Sequence, residues 1–161
     1  MGLADNDIPL VVLNNPDFQG DVNDPDFGPC VKAATPGKAF FVKSLDKMLD
    51  DYYLVPFYQG NDLCGIAFVG VMDGKGVLGG WSSAGGIPFP PISAEEAKFI
   101  VEKAGNKVVS DPILSFQWLR EGTSEFWPFW EMTTEDDQTI YVIYTRGIFE
   151  VWNAKDVHPI N

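Results

Sequence analysis

Between residues 92 and 106 the apolar positions recur with the period of a helix. Ala97, Ile100, Val101 and Ala104 fall at i, i+3, i+4 and i+7, a stripe expected to pack on a sheet. Ser93 with Glu96 three residues on forms a capping box, Glu95 and Glu96 suit the positive end of the helix dipole, and Gly105 supplies a stop. Most of the remaining pattern reads as strand. Residues 66–71 are a β-branched and aromatic run that ends in the turn Met72-Asp73-Gly74-Lys75-Gly76. Residues 139–144 form a second such run, closed by Thr145-Arg146-Gly147. Hairpin turns are expected at Gln59-Gly60-Asn61-Asp62 and at Glu135-Asp136-Asp137. Residues 40–45 and 113–119 are read as strands, although Phe41, Leu45, Met48 and Leu49 offer a rival helical spacing. Leu10-Val11-Val12-Leu13 reads as a short strand. A second helix is expected within residues 23–34, capped by Asn23 and shortened or broken by Pro29.

The strand pattern occurs twice. Pro56-Phe57-Tyr58 is echoed by Pro128-Phe129-Trp130 at an offset of 72 residues, and Gly76 to Trp81 by Gly147 to Trp152 at an offset of 71. Two landmarks that keep nearly one spacing point to a diverged duplication. The expectation is an α+β fold of two similar units, each a helix packed on an antiparallel sheet. An N-terminal arm would cover residues 1–22, the first unit 23–82, a Gly- and Pro-rich linker 83–91 and the second unit 92–161. Trp81 and Trp152 would fill the same core slot in the two units. Pro56 and Pro128, which lack an N–H for the ladder, would sit at a strand edge or bulge.

The order capped helix, strand, strand, hairpin, strand and Gly-closed turn resembles PepSY-type domains of the peptidase-propeptide kind, in tandem diverged copies. Ile92-Ser93-Ala94-Glu95-Glu96-Ala97 resembles the opening of the PepSY helix. Phe129-Trp130-Glu131-Met132 with Ile140-Tyr141-Val142-Ile143 resembles its strand pair, and Asp73-Gly74-Lys75-Gly76-Val77-Leu78 its closing turn. The likeness implies helices on antiparallel sheet, an inhibitory or regulatory role and a place in secreted or cell-envelope proteins. It brings no active-site residues with it.

Charge narrows the partners. With 23 acidic residues against 11 basic, the chain carries −12 at pH 7. Such a surface repels a polyanion, which argues against nucleic acid and favours a protein or peptide partner with a basic surface. The 45% hydrophobic and 14% aromatic content supplies a core for one domain or two small halves. No apolar run approaches the ~20 residues that span a bilayer. Met1-Gly2-Leu3-Ala4-Asp5 has neither the basic nor the apolar region of a signal peptide. Cys30 and Cys64 form no CxxC pair, and one histidine in the chain argues against zinc. A single disulfide in an exported protein and two buried thiols both stay open.

Candidate chemistry is sparse. His158, near the C-terminus, reads as a frayed tail residue, and no GxSxG, HExxH or P-loop spacing occurs. Glu121, Glu125 and Glu131 lie among aromatics that would suit a sugar, yet acidic neighbours are expected in so acidic a chain. Asp17, Asp21, Asn23, Asp24 and Asp26 could offer oxygens to calcium, but Asn-Pro and Asp-Pro more simply mark a turn-rich surface arm. No catalytic residue, metal or cofactor is therefore expected. The candidate ligand-binding residues are Trp127, Trp130 and Glu131. They would serve a non-enzymatic domain that binds a protein or peptide, or alternatively a carbohydrate-binding or glycoside-active domain.

Overall fold

The computed structural model describes residues 7–23, 29–83, 89–120, 122–145 and 147–160. The chain divides into two compact units, residues 1–41 with 51–89 and residues 42–50 with 90–161.

The first unit opens with two short helices, α1 (Ile8–Leu13) and α2 (Pro16–Asp21). Ile8 and Val12, one turn apart, are both fully buried, and Pro9 occupies the first turn, where no N–H is needed. The Asn15 side chain caps α2 by accepting from the Phe18 N–H at 3.1 Å, and Pro16 follows at the first helical position. A third short helix, α3 (Pro29–Lys32), leads to β1 (Thr35–Pro36). β2 (Phe40–Ser44) then carries the chain out of this unit. The unit resumes as a meander of β3 (Tyr52–Gln59), β4 (Asp62–Met72) and β5 (Lys75–Ser83), antiparallel throughout, with β1 on the other side of β3. Gly60, Asp73 and Gly74 take the positive φ that the two tight turns require. As expected for Pro56, the ladder slips just beyond it, between Phe57 and Tyr58.

α1 and α2 lie over one face of this sheet. Ile8, Val12 and Phe18 meet Val55, Phe57, Ala67 and Val69 there, and Trp81 packs against them. A disulfide joins Cys30 of α3 to the buried Cys64 of β4, with Cα atoms 5.6 Å apart. Of the two thiol states open from the sequence, the linked one is present.

In the second unit, Lys43 and Ser44 of β2 run parallel to Ser115 and Phe116 of β6 (Ile113–Phe116). β7 (Phe129–Thr133), β8 (Thr139–Thr145) and β9 (Ile148–Asn153) continue antiparallel from β6. The helix α4 (Ala94–Lys103) has the expected capping box, with both the Ser93 and Glu96 contacts formed, and Gly105 beyond it has φ +99°. Its Ala97 and Val101 pack on Met132, Ile140 and Val142. The opposite face carries Phe129, Tyr141, Ile143 and Trp152 against Leu119 and Val157. A 3₁₀ turn (Ala154–Asp156) follows β9. The tail is held rather than frayed: the Arg120 N–H donates to the His158 carbonyl at 2.9 Å, and the Ile160 N–H to the Trp118 carbonyl at 3.0 Å.

The expected fold class is therefore corrected. Two similar helix-on-antiparallel-sheet units do not form; nine strands dominate the described residues, the pairing is mixed because β2 and β6 run parallel, and α4 is the longest helix at 10 residues. The expected helix within residues 23–34 is represented in the described residues by the single turn of α3, while residues 24–28 lie outside them. The first unit is covered instead by α1 and α2, where a surface arm and a strand at residues 10–13 were expected. An i, i+4 pair beneath a first-turn proline outweighs the β propensity of Val11 and Val12. The matched landmarks also differ in register. Pro56-Phe57 lies near the end of β3 and Pro128-Phe129 at the start of β7. Gly74, rather than Gly76, holds the turn position that Gly147 holds. In consequence Trp81 faces the covering helices, whereas Trp152 lies on the sheet face away from α4.

Candidate functional site

The three residues singled out from the sequence do not converge. Trp130 faces α4, its indole N–H donating to the Ile92 carbonyl at 3.0 Å. Glu131, the next residue along the strand, points to the other face and meets Lys43 Nζ at 3.5 Å. Trp127 precedes β7, its ring 6.4 Å from that of Tyr144, which packs 4.9 Å from Phe149 on the α4 side. The two tryptophans thus share a face, and Glu131 lies behind them. Glu121, Asp24 and Asp26 are outside the described residues. Among the described residues no three His, Cys, Asp or Glu side chains gather as a metal site.

Two titrating groups mark the second sheet. Burial pushes the Tyr141 phenol up to about 12, and the negative charge of Glu131, its partner across the strand pair, adds to the shift. At the β7–β8 hairpin the Thr134 hydroxyl donates to Asp136 Oδ1 at 2.6 Å, which with the backbone N–H of Asp136 holds that carboxyl below its usual range.

A groove in the first unit has the better shape for a ligand. β5 pairs with β4 on one side and is the last strand in the sheet order. Beside that edge a groove of about 410 Å³ runs between α1, the start of α2 and β5. Leu10, Val11, Pro16, Val77 and Leu78 make its apolar lining, and Asp7, Asn14 and Asn15 its polar rim. Leu10 is 50% exposed and Val77 43%, so both offer apolar surface to an incoming chain. Gly79 of β5 has no room for a side chain because Phe68 covers it: a Cβ there would come within 2.8 Å of the Phe68 ring. The Gly-rich composition of β5 is legible in the sequence, but the groove is not, since it exists only once α1 lies along that edge.

A smaller cleft of about 250 Å³ in the second unit is lined by Val151, Trp152, Asn153, Asp156 and Val157. Asn153 is held at both ends of its amide. Its Nδ2 donates to Gln138 Oε1 at 2.9 Å and its Oδ1 accepts from the Lys155 N–H at 3.1 Å.

Comparison with known proteins adds no relative: no family model, no curated protein and no solved structure matches the chain. The PepSY-like resemblance therefore rests on the residues quoted for it. Among the described residues no helix is long and apolar enough to cross a membrane.

Proposed function

We propose that the protein is a non-enzymatic interaction domain that binds an extended segment of a protein or peptide partner along the open edge of β5. The observation that carries this reading is the pairing of a nine-residue edge strand with an adjoining apolar groove. Unpaired backbone groups on a sheet edge supply a ladder for an added strand, and a flanking pocket for alternate side chains supplies specificity. The charge of −12 favours a basic segment. Such a domain acts by occupying its partner, in keeping with the inhibitory or regulatory role implied by the resemblance. The Cys30–Cys64 disulfide supports a secreted or cell-envelope setting, where such bonds persist.

Selection from a displayed library of random nonapeptides tests this directly, with a glycan panel run beside it. Peptides rich in basic and alternating apolar residues are expected to be enriched. Val77→Lys, which places a positive charge on the groove wall, is expected to weaken the best peptide at least tenfold while leaving the far-ultraviolet circular dichroism unchanged. A library that yields no binder, binders indifferent to Val77→Lys, or a glycan bound in their place would overturn the reading.

A further inference from the structure

We propose that the cleft beside Trp152 receives one cationic side chain, an arginine or lysine, of a basic protein partner. The proposal is independent of the β5 edge, because every residue it uses belongs to the second unit. Trp152 is half-buried, its body resting on Leu119, Phe129, Tyr141 and Ile143 while it also lines the cleft. An indole anchored in this way and open to the cleft is the best of the aromatic faces for a cation. Asp156 lines the same cleft and is exposed, with no cation at ion-pair distance among the described residues. Its neighbour Lys155 does not pair with it. Glu150 lies two residues before Trp152 and so on the same face of β9, adding a second exposed negative charge.

The polar chemistry of the cleft selects a donor. The amide of Asn153 is held in place by Gln138 and Lys155, and the only charged side chain that lines the cleft is the carboxylate of Asp156, which can only accept. A guanidinium or ammonium meets this demand, with its charge over Trp152 and an N–H toward Asp156, while its methylene stem lies against Val157. A volume of about 250 Å³ admits one long side chain, not a secondary-structure element. An anionic ligand would face the −12 of the whole chain.

The test is a titration of the full ¹⁵N-labelled chain, following the indole N–H resonance of Trp152, which Trp152→Phe identifies by its disappearance. Acetyl-arginine amide, the neutral isostere acetyl-citrulline amide and methyl β-glucoside are the probes. The arginine probe is expected to move that resonance saturably in the millimolar range, and the citrulline probe to bind at least fivefold more weakly. Asp156→Asn is expected to weaken arginine binding at least threefold without disturbing the other indole signals. Equal binding of citrulline and arginine, indifference to Asp156→Asn, or a response to the glucoside alone would overturn the proposal. So would arginine-induced shifts confined to the other four indoles.

Discussion

Gly65 carries no side chain because the indole of Trp81 occupies the space a Cβ would take. Trp81 in turn meets Phe57 and Phe18 at centroid distances of 5.2 and 5.3 Å, so the indole cannot retreat without breaking that trio. Gly65→Ala is therefore expected to cost about 2–3 kcal/mol through overpacking, read as a lower urea midpoint at unchanged slope. Tyr141 gives a second residue-scale expectation. Its phenol keeps its proton in the folded chain to about pH 12, while the unfolded chain loses it near pH 10. The folded state then binds more protons across that window, so stability is complete below pH 10 and declines as pH rises toward 12. The decline should be on the order of 1–2 kcal/mol and should vanish in Tyr141→Phe, as urea unfolding at pH 9, 10 and 11 would report. The matched tryptophans show what residue identity conveys and what it hides. Both Trp81 and Trp152 pack on a core, but which face each occupies depends on strand register, which no single residue specifies.

At the scale of elements, the features written in local chemistry were legible. The α4 cap, its apolar stripe from Ala97 to Val101 and its glycine stop all form, although Ala104 at the helix end is exposed, and so do the turns at Gly60, at Asp73-Gly74 and around Asp137. Each is set by contacts within a few residues of chain. α1 and α2 are hidden in the sequence because Asn15-Pro16-Asp17-Phe18 fits a turn equally well, while asparagine before proline is also the cap and first residue of a helix. What settles the matter is Phe18, whose burial on Phe57 and Trp81 arises only in the folded unit. The duplicated pattern misled in a related way. Its glycine and proline landmarks recur at nearly equal spacing yet fall at different points of their hairpins, and equal spacing cannot reveal a shifted register.

For the molecule as a whole, the Cys30–Cys64 disulfide closes a loop with a sequence separation of 34 and ties the segment after α2 to the centre of the β3–β4–β5 meander. Removing it by Cys30→Ala with Cys64→Ala is expected to cost about 3–4 kcal/mol, chiefly through the freed unfolded chain. Unchanged stability in the double variant would show that the two sulfurs are not joined. The groove beside β5 depends on this same unit, in which sheet, helices and disulfide hold an edge open to a partner. Amide hydrogen exchange of the full chain, with and without the highest-affinity selected peptide, tests that claim most directly. The expected result is slowed exchange at the alternate amides of β5 that β4 does not engage. Exchange along β5 that is unchanged by saturating peptide, with protection gathered elsewhere, would contradict it.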